Sequence, residues 1–311
     1  MTVSGIQGPD ALMRKIIFDH VQNLCLSHNH ITQSILAPGV IINGERIPLV
    51  NPQRGIFKPR QMRYLLSIKT VFPKPGGKVW YDDQREVLRQ IYEGDELIDY
   101  AFMGNNPNAP ENQWLREAYE NQIPVIYFLG ISPGRYEVHL PAYIVSWNPT
   151  ELKASVSFGV IDGGNPVLLQ TSIERRYALR AVKQRLHQSS FREAVITAYH
   201  GRCALSGLPE TLLLDAAHII PDKDKEFGQA IVPNGVPLSK IHHAAFDAHL
   251  IGIDPDYRVH VSSRLLSQND GPMLEALKQL QGKSIHLPSR VKDYPDPDRL
   301  AKRFEQFKAA H

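Results

Sequence analysis

A histidine, an asparagine and a second histidine follow one another over a short stretch of the chain, each in a distinctive local sequence. His218 lies in LLLDAAHIIP, Asn234 in PNGVPLS and His243 in IHHAAFD. Apolar residues bracket His218 in a run that predicts a buried strand. Asn234 and the glycine after it predict a turn into a second short strand, and Ser239 is a favourable N-cap for a helix that begins near Lys240. The predicted order is strand, loop, strand, helix.

Two side chains of the predicted helix can meet at one cation. His243 and Asp247 are four residues apart and share a helix face, so an imidazole and a carboxylate converge there. His242 points about 100° away by helical periodicity. An imidazole near its ordinary pKa can take a proton from water, and a divalent cation can stabilise charge on a phosphate. Hydrolysis of a phosphodiester requires both functions.

The motifs CALSG, AAHIIP, NGVPL and HAAFD together resemble one branch of the HNH endonuclease family. The resemblance implies a ββα-metal fold in which His218 activates water, Asn234 orients the loop and the histidine, and His243 binds metal. Many members of the family carry an aspartate ligand directly before the first histidine, where this chain has alanine. Asp215 lies two residues before that alanine, on the same strand face, and is the first candidate for the second ligand. Asp247 is the second candidate.

The cofactor that we expect is a divalent cation, Mg²⁺ or Mn²⁺. Mg²⁺ prefers oxygen ligands and keeps several waters, whereas a histidine ligand also admits Mn²⁺, Ni²⁺ or Zn²⁺. The expected substrate is double-stranded DNA. Since one ββα unit cuts one strand, cleavage of both strands would need a homodimer or two sequential events.

Length and composition are those of a soluble globular protein with room for two domains. The chain has 311 residues, of which 42% are hydrophobic and 22% charged, and a formal charge of +3. No run approaches the ~20 apolar residues of a membrane span, and the start MTVSGIQGPD lacks the pattern of a signal peptide. We therefore expect a cytoplasmic protein without membrane association. Cys25 and Cys203 are too few for a disulfide framework or a structural zinc site.

Positive charge is concentrated in two segments that we expect to contact the DNA backbone. Residues 175–202 look helical and carry a single acid, Glu193, with an apolar stripe among the arginines. Residues 51–62 interleave basic side chains with Phe57, which suits a loop that grips phosphates. Each segment also has a plainer interpretation, as a solvated connector and as a rigid loop. The predicted DNA-binding residues are Arg54, Lys58, Arg60, Arg175, Arg176, Arg180, Lys183 and Arg185.

The first half of the chain has the pattern of a β-rich domain that follows a helix. Residues 1–30 have an apolar helical face, and short β-type runs alternate with turn signals over residues 31–160. This pattern predicts a curved sheet or partly closed barrel with flanking helices. The series WYDDQ, DYAFMGNNPNAPENQWLREAYENQIPVIYFLG and PGRYEVHLPAYIVSW resembles modification-reading domains of the SRA and broader PUA-like superfamily.

The second resemblance implies a pocket that reads a flipped, modified base. In such a pocket an aromatic ring stacks on the base and polar groups take its Watson–Crick edge. The plainer interpretation of the same aromatic side chains is that they fill the core of the sheet. The candidate pocket residues are Tyr81, Asp82, Tyr100, Phe102 and Asn105.

Together these patterns predict an α+β protein with two functional domains. A helical segment (1–30) and an SRA/PUA-like DNA-reading domain (31–160) precede a linker (161–172) and an HNH nuclease domain (173–311), which comprises a basic lead-in helix (173–200), a ββα core (201–260) and C-terminal helices (266–311). The predicted function is that of a metal-dependent endonuclease of the modification-dependent restriction type, acting on base-modified DNA. One alternative is a noncatalytic DNA-binding regulator with a degenerate HNH unit, motivated by the alanine at position 217. Another is a defence nuclease that is not selective for modified bases.

Overall fold

The computed structural model describes residues 8–28, 31–71, 96–132, 134–224, 226–269 and 271–310. The chain divides into two compact units, Met1–Leu186 and His187–His311. The division falls inside one long helix, whereas the sequence predicts that the second domain starts at residue 173. The predicted linker, 161–172, contains most of a two-stranded hairpin and the first residue of that helix.

The first unit is built on one curled sheet, a half-barrel, with helices around it. Its helices are α1 (Pro9–Ser27), α2 (Gln33–Leu36), α3 (Pro110–Glu120) and the first part of α4 (Ser172–Ala198). Its strands are β1 (Ile31–Thr32), β2 (Val40–Ile42), β3 (Glu45–Ile47), β4 (Ile56–Phe57), β5 (Ser67–Thr70), β6 (Ile98–Ala101), β7 (Pro124–Ser132), β8 (Arg135–Asn148), β9 (Lys153–Phe158), β10 (Val160–Asp162) and β11 (Asn165–Val167).

The half-barrel has the strand order β4-β5-β7-β8-β9-β6, and β1 pairs with β8. Strands β5 and β7 are parallel, and the other neighbours are antiparallel. The pairing register shifts between Val125 and Tyr127 in β7 and between Ile144 and Ser146 in β8. Because such bulges bend a strand and increase its twist, they allow the sheet to curl.

Strand β7 is buried on both faces because its side chains alternate between two cores. Tyr127 and Leu129 pack into a core with α3 and α4, whereas Ile126 and Phe128 pack into a core with α1. The continuous apolar run of this strand in the sequence is typical of a strand that is covered on both faces.

The second unit contains two pairs of strands among helices. Strands β12 (Leu214–His218) and β13 (Gly235–Ser239) are antiparallel and lead into helix α5 (Lys240–Asp247). The later elements are β14 (Ile251–Ile253), β15 (Val259–Val261), α6 (Ser263–Leu266), α7 (Gly271–Lys278) and α8 (Pro297–Ala309). One apolar core joins the strand pairs to α5 and α8. The combination of this unit with the half-barrel confirms the α+β class.

The second part of α4 packs directly on the first residue of β13. A Cβ atom at Gly235 would lie 2.5 Å from Val195 Cγ2 and 2.6 Å from Phe191 Cζ. Glycine is therefore required at this position for space, and its presence allows Phe191 to lie beside the paired end of β12.

Candidate active site

The end of β12 and one face of α5 border a cavity of about 530 Å³ in the second unit. His218 is the last residue of β12. Ser239 caps α5 by accepting the N–H of His242 at 3.3 Å, and the cap fixes where the helix begins. As a result, His243 and Asp247 share the face that borders the cavity. The charged and titratable side chains that line it are Arg192, Asp215, His218, Asp222, His243, Asp247 and Arg303.

His218 is covered by an aromatic ring. Its imidazole stacks on Phe191, with 4.0 Å between the ring centroids and an interplanar angle of 20°. Its Nε2 is buried and has no hydrogen-bond partner among the residues that the structure describes. Burial is the largest cause that lowers the pKa of His218, and nearby charges such as Asp222 add smaller effects of both signs. The imidazole is therefore neutral near pH 7, the form in which a histidine accepts a proton.

Asn234 is fully buried and ties together two parts of the loop between β12 and β13. Its Nδ2 donates to the carbonyl oxygens of Ile220 at 2.9 Å and Gln229 at 3.0 Å, and its Oδ1 accepts the Ile220 N–H at 2.9 Å. Its backbone carbonyl accepts the N–H of Ile219 at 2.9 Å. Because residues 219 and 220 directly follow His218, these contacts favour a positioning role for Asn234.

His243 lies between two carboxylates, one near each ring nitrogen. Its Nε2 is 3.3 Å from Asp247 Oδ2, and its Nδ1 is 3.8 Å from Asp215 Oδ2. The hydrogen bond with Asp247 is the largest cause that raises the pKa of His243, and burial opposes it. The same hydrogen bond lowers the pKa of Asp247. The structure thus brings both candidate ligands to His243, from different sides of the ring.

Each of these carboxylates has an arginine beside it. Arg303 Nη2 is 3.5 Å from Asp247 Oδ1, and Arg192 Nε is 3.8 Å from Asp215 Oδ1. Arg192 also donates to the carbonyl oxygen of Leu214, the first residue of β12, at 2.7 Å. In the sequence, Arg192 is visible only as one member of the basic segment. Arg303 carries no local signal, because the cavity that it lines is formed by residues far away along the chain.

His242 is buried against Cys203, away from the cavity. Its Nδ1 is 3.3 Å from the Sγ of Cys203, and the N–H of Ser239 donates to the same sulfur at 3.3 Å. Burial raises the pKa of Cys203, but hydrogen bonds from His242 and from two serines outweigh it and bring the pKa to about 6. This contact fastens the start of α5 and leaves only His243 of the histidine pair in the cavity.

The donors around His243 fit a hard divalent cation. Oxygens of Asp215 and Asp247 lie close to the imidazole, and the Asp247 side chain is 60% exposed, so water can complete a coordination sphere. If a cation bound one ring nitrogen of His243, the other ring nitrogen could still donate a hydrogen bond to the carboxylate beside it. Such an outer hydrogen bond commonly orients histidine ligands. Over the described ranges, no group of three or more His, Cys, Asp or Glu side chains forms a metal site. With one imidazole and two carboxylates that water can reach, the arrangement suits an open site that retains water rather than a closed structural one.

Two candidate base-pocket residues line a cavity in the first unit. Tyr100 and Phe102 are core residues that border this cavity, together with Arg54 and Lys69. The Tyr100 hydroxyl donates to the carbonyl oxygen of Lys69 at 3.1 Å. Arg54 forms an ion pair with the buried Glu111. The two aromatic residues thus serve the core and the cavity wall at the same time.

The other residues of the first unit that we predicted to contact DNA or the modified base are not among those described as lining this cavity. Asn105 is exposed and is not among the described residues that line the cavity. Tyr81 and Asp82 lie outside the described residues. Lys58 and Arg60 are in the loop between β4 and β5.

The predicted DNA-binding residues of α4 lie on its first part, within the first unit. Arg175 and Arg176 share Glu96 as an ion-pair partner, at 3.4 and 3.0 Å. Glu96 therefore neutralises part of the predicted cationic surface. The remaining predicted cations on this stretch, exposed or partly exposed, are Arg180, Lys183 and Arg185.

Residues 203–254 match the family model HNH_2, described as HNH endonuclease. The matched segment includes β12, β13 and α5, and with them His218, Asn234 and His243. This stretch is an HNH endonuclease domain, of a kind that generally uses a divalent metal. The match supports a nuclease function for the unit that contains this stretch.

Among solved structures, the chain is similar to a "Modification dependent TagI restriction endonuclease". The identity is 15% and the TM-score 0.32, and the similarity covers 82% of this chain and 86% of that chain. No curated protein matches the chain. Of the helices that the structure describes, none combines the length and the apolar character needed to cross a bilayer.

Proposed function

We propose that this protein is a metal-dependent DNA endonuclease that cleaves base-modified double-stranded DNA. The observation that carries the nuclease half is that neutral His218 and carboxylate-flanked His243 line one cavity. A proton acceptor for water and a group that can hold a cation against the phosphate are together suited to phosphodiester hydrolysis.

In the proposed reaction, His218 accepts the proton of a water molecule while the water oxygen attacks the scissile phosphorus and the 3′ oxygen leaves. Phe191 covers one face of the imidazole, and the resulting burial keeps the ring neutral before the attack. Asn234 fixes the chain directly after His218, so the ring keeps its place relative to the phosphate.

We assign the cation to His243, with Asp215 or Asp247 as the second ligand, and Mg²⁺ or Mn²⁺ as the ion. When bound there, the cation supplies positive charge against the phosphate and the leaving oxygen. The carboxylate that does not bind the cation orients the ring through the opposite nitrogen. Arg192 and Arg303 hold the two carboxylates.

The half-barrel unit is the proposed source of the preference for modified DNA. Its cavity combines the aromatic side chains of Tyr100 and Phe102 with the cation of Arg54. Aromatic stacking together with polar contacts to the base edge is how proteins hold a flipped base. This combination and the SRA/PUA-like motifs of the sequence support an SRA/PUA-like reader of a modified base.

The nuclease half is tested by incubating the protein and its His218→Ala variant with Mg²⁺ or Mn²⁺ and matched plasmids. The plasmids are unmodified or carry 5-methylcytosine, 5-hydroxymethylcytosine or N6-methyladenine. We expect cleavage by the wild type, loss of cleavage on chelation of the metal, and none by His218→Ala. His286→Ala, at an exposed histidine outside the cavity, is the matched control and should cut normally. Cleavage by a folded His218→Ala protein would contradict the assignment, and binding without cleavage by the wild type would favour a noncatalytic regulator.

The reader half is tested by the ratio of cleavage rates on modified and unmodified plasmids. Arg54→Gln should reduce this ratio, because it removes one of the two cationic side chains, Arg54 and Lys69, that line the cavity. Arg116→Gln is the control, since Arg116 also pairs with a glutamate, Glu120 at 2.8 Å, but does not line the described cavity. Equal cutting of all plasmids by the wild type would reject the reader and leave a nonselective defence nuclease.

A further inference from the structure

Helix α8 lies outside the segment that matches the HNH family, yet it contributes a charged side chain to the cavity. The match ends at residue 254, whereas α8 spans Pro297–Ala309. Arg303 on this helix is 7% exposed and lines the cavity together with His218 and His243. Its burial opposes the charged form and lowers its pKa, while Asp247 raises it. An apolar side chain would fill the same space without this cost, so packing alone does not account for the arginine.

The guanidinium of Arg303 makes its contacts at the end of α5. Its Nη2 donates to the carbonyl oxygen of Phe246 at 3.0 Å and lies 3.5 Å from Asp247 Oδ1. The guanidinium also lies over the Phe246 ring, 4.7 Å from its centroid. The other oxygen of the same carboxylate, Asp247 Oδ2, is 3.3 Å from His243 Nε2. Arginine, aspartate and histidine therefore form a continuous chain of contacts from α8 into the cavity.

We propose that Arg303 is a positioning residue of the nuclease site, which holds Asp247 against Nε2 of His243 and so fixes the imidazole. The Asp247 side chain is 60% exposed, and without the arginine it would be free to turn toward water. Loss of an outer partner of a metal-binding side chain usually lowers metal affinity or activity by about 10–100-fold. The nuclease site then depends on residues as far along the chain as α8. This inference rests on the role proposed above for His243.

The same helix offers a matched control one turn earlier. Arg299 donates to the carbonyl oxygen of Phe227 at 2.9 Å, lies 5.9 Å from the centroid of that ring, and is 3.4 Å from Asp296 Oδ2. It is not among the described residues that line the cavity. Its Nη2 also donates to Gln229 Oε1 at 2.7 Å. Arg299→Ala and Arg303→Ala therefore remove similar contacts from the same helix, but only Arg303→Ala removes a contact with a residue that lines the cavity.

The first test compares cleavage rates of the full chain and its variants under identical metal and substrate conditions. Arg303→Ala should cut about 10–100-fold more slowly than the wild type, whereas Arg299→Ala should cut close to the wild-type rate. Arg303→Lys keeps a positive charge but loses the planar fork, so its rate should be intermediate. Thermal unfolding of each variant shows which ones are folded. A folded Arg303→Ala protein that cuts as fast as Arg299→Ala would overturn the proposal.

A double-mutant comparison shows whether Arg303 acts through Asp247. If it does, the variant with both Asp247→Asn and Arg303→Ala should cut no more slowly than Asp247→Asn alone. If the two losses multiply, Arg303 acts independently of Asp247 and the positioning role is wrong.

A readout that needs no cleavage is NMR of the histidine ring nitrogens, recorded without added metal. Arg303→Ala should shift or broaden the His243 signals, and Arg299→Ala should leave them unchanged. Unchanged His243 signals in a folded Arg303→Ala protein would overturn the proposal. Because this measurement does not depend on nuclease activity, it distinguishes failure of the positioning role from failure of the proposed function.

Discussion

Replacing Asn234 by alanine should destabilise the second unit. It should also slow cleavage, because the amide positions His218 even though it takes no direct part in the proposed reaction. The side chain makes three hydrogen bonds, two with Ile220 and one with Gln229, and it is 0% exposed. Alanine leaves one N–H and two carbonyl oxygens without these partners. At about 1–1.5 kcal/mol for each bond, the cost is about 3–5 kcal/mol. A domain is typically stable by only about 5–15 kcal/mol, so this loss is a large fraction of the stability. Because the lost hydrogen bonds lie in the loop after β12, that loop should open first.

The aspartate variant separates the acceptor from the donor of the amide. Asn234→Asp keeps an acceptor for the Ile220 N–H but places an oxygen 2.9 and 3.0 Å from two carbonyl oxygens, where the amide nitrogen donates. Near neutral pH this variant should be at least as unstable as Asn234→Ala. Burial and the facing carbonyl oxygens raise the pKa of the new carboxyl group in the folded state. Its stability should therefore recover as pH falls, and that of Asn234→Ala should show no matching recovery.

The assay must report on the second unit, which contains no tryptophan. Hydrogen exchange of peptides from the second unit across a urea series gives its unfolding free energy, and exchange of peptides that contain residue 220 gives the local opening. Asn269→Ala, at an exposed asparagine of the same unit, is the control. The cleavage rate of Asn234→Ala should fall on the order of 100-fold, since small displacements of a catalytic group cost this much. An unchanged unfolding free energy and unchanged protection at residue 220 would refute the reasoning.

The remaining predictions concern charge, space and anchoring. The cleavage rate should rise with pH through an inflection below about 6.5, because burial lowers the pKa of His218 and only the unprotonated ring accepts a proton. Phe191→Ala should move this inflection to higher pH. A wild-type inflection above about 6.5 would contradict the assignment of His218. Gly235→Ala should lower the free energy of urea unfolding by about 1–3 kcal/mol, because the new Cβ would lie 2.5 Å from Val195 Cγ2. Adding Val195→Ala should restore part of this free energy, and no restoration would contradict the account. Arg14→Met should destabilise the first unit by about 2–3 kcal/mol, because the carbonyl oxygens of Leu65 and Pro124, each 2.9 Å from Arg14 Nη1, lose their donor. Urea unfolding followed by tryptophan fluorescence measures the change, and an unchanged unfolding midpoint would contradict this prediction.

The elements that carry the candidate site could be predicted because each depends on neighbouring residues in the chain. Apolar residues on both sides of His218 predict β12, and Ser239 predicts the start of α5. The spacing of four residues places His243 and Asp247 on one helix face whatever the helix packs against.

The register shifts that let the sheet curl and the boundary between the units could not be predicted in the same way. The register shifts in β7 and β8 depend on how each strand pairs with partners elsewhere in the chain. Helix α4 continues through the boundary between Leu186 and His187, because helical hydrogen bonds join near neighbours in the chain whichever unit they belong to. The division between the units depends instead on which core each part of the helix joins.

The sequence by itself determined which side chains could do the chemistry and on which local elements they lie. Only the tertiary structure decided that Phe191 stacks on His218, that Asp215 and Asp247 approach different nitrogens of His243, and that Arg303 joins them from α8. The physical reason is that periodicity and capping act between near neighbours. The contacts of Phe191 and Arg303 join residues far apart in the chain and leave no spacing by which a single sequence reveals them.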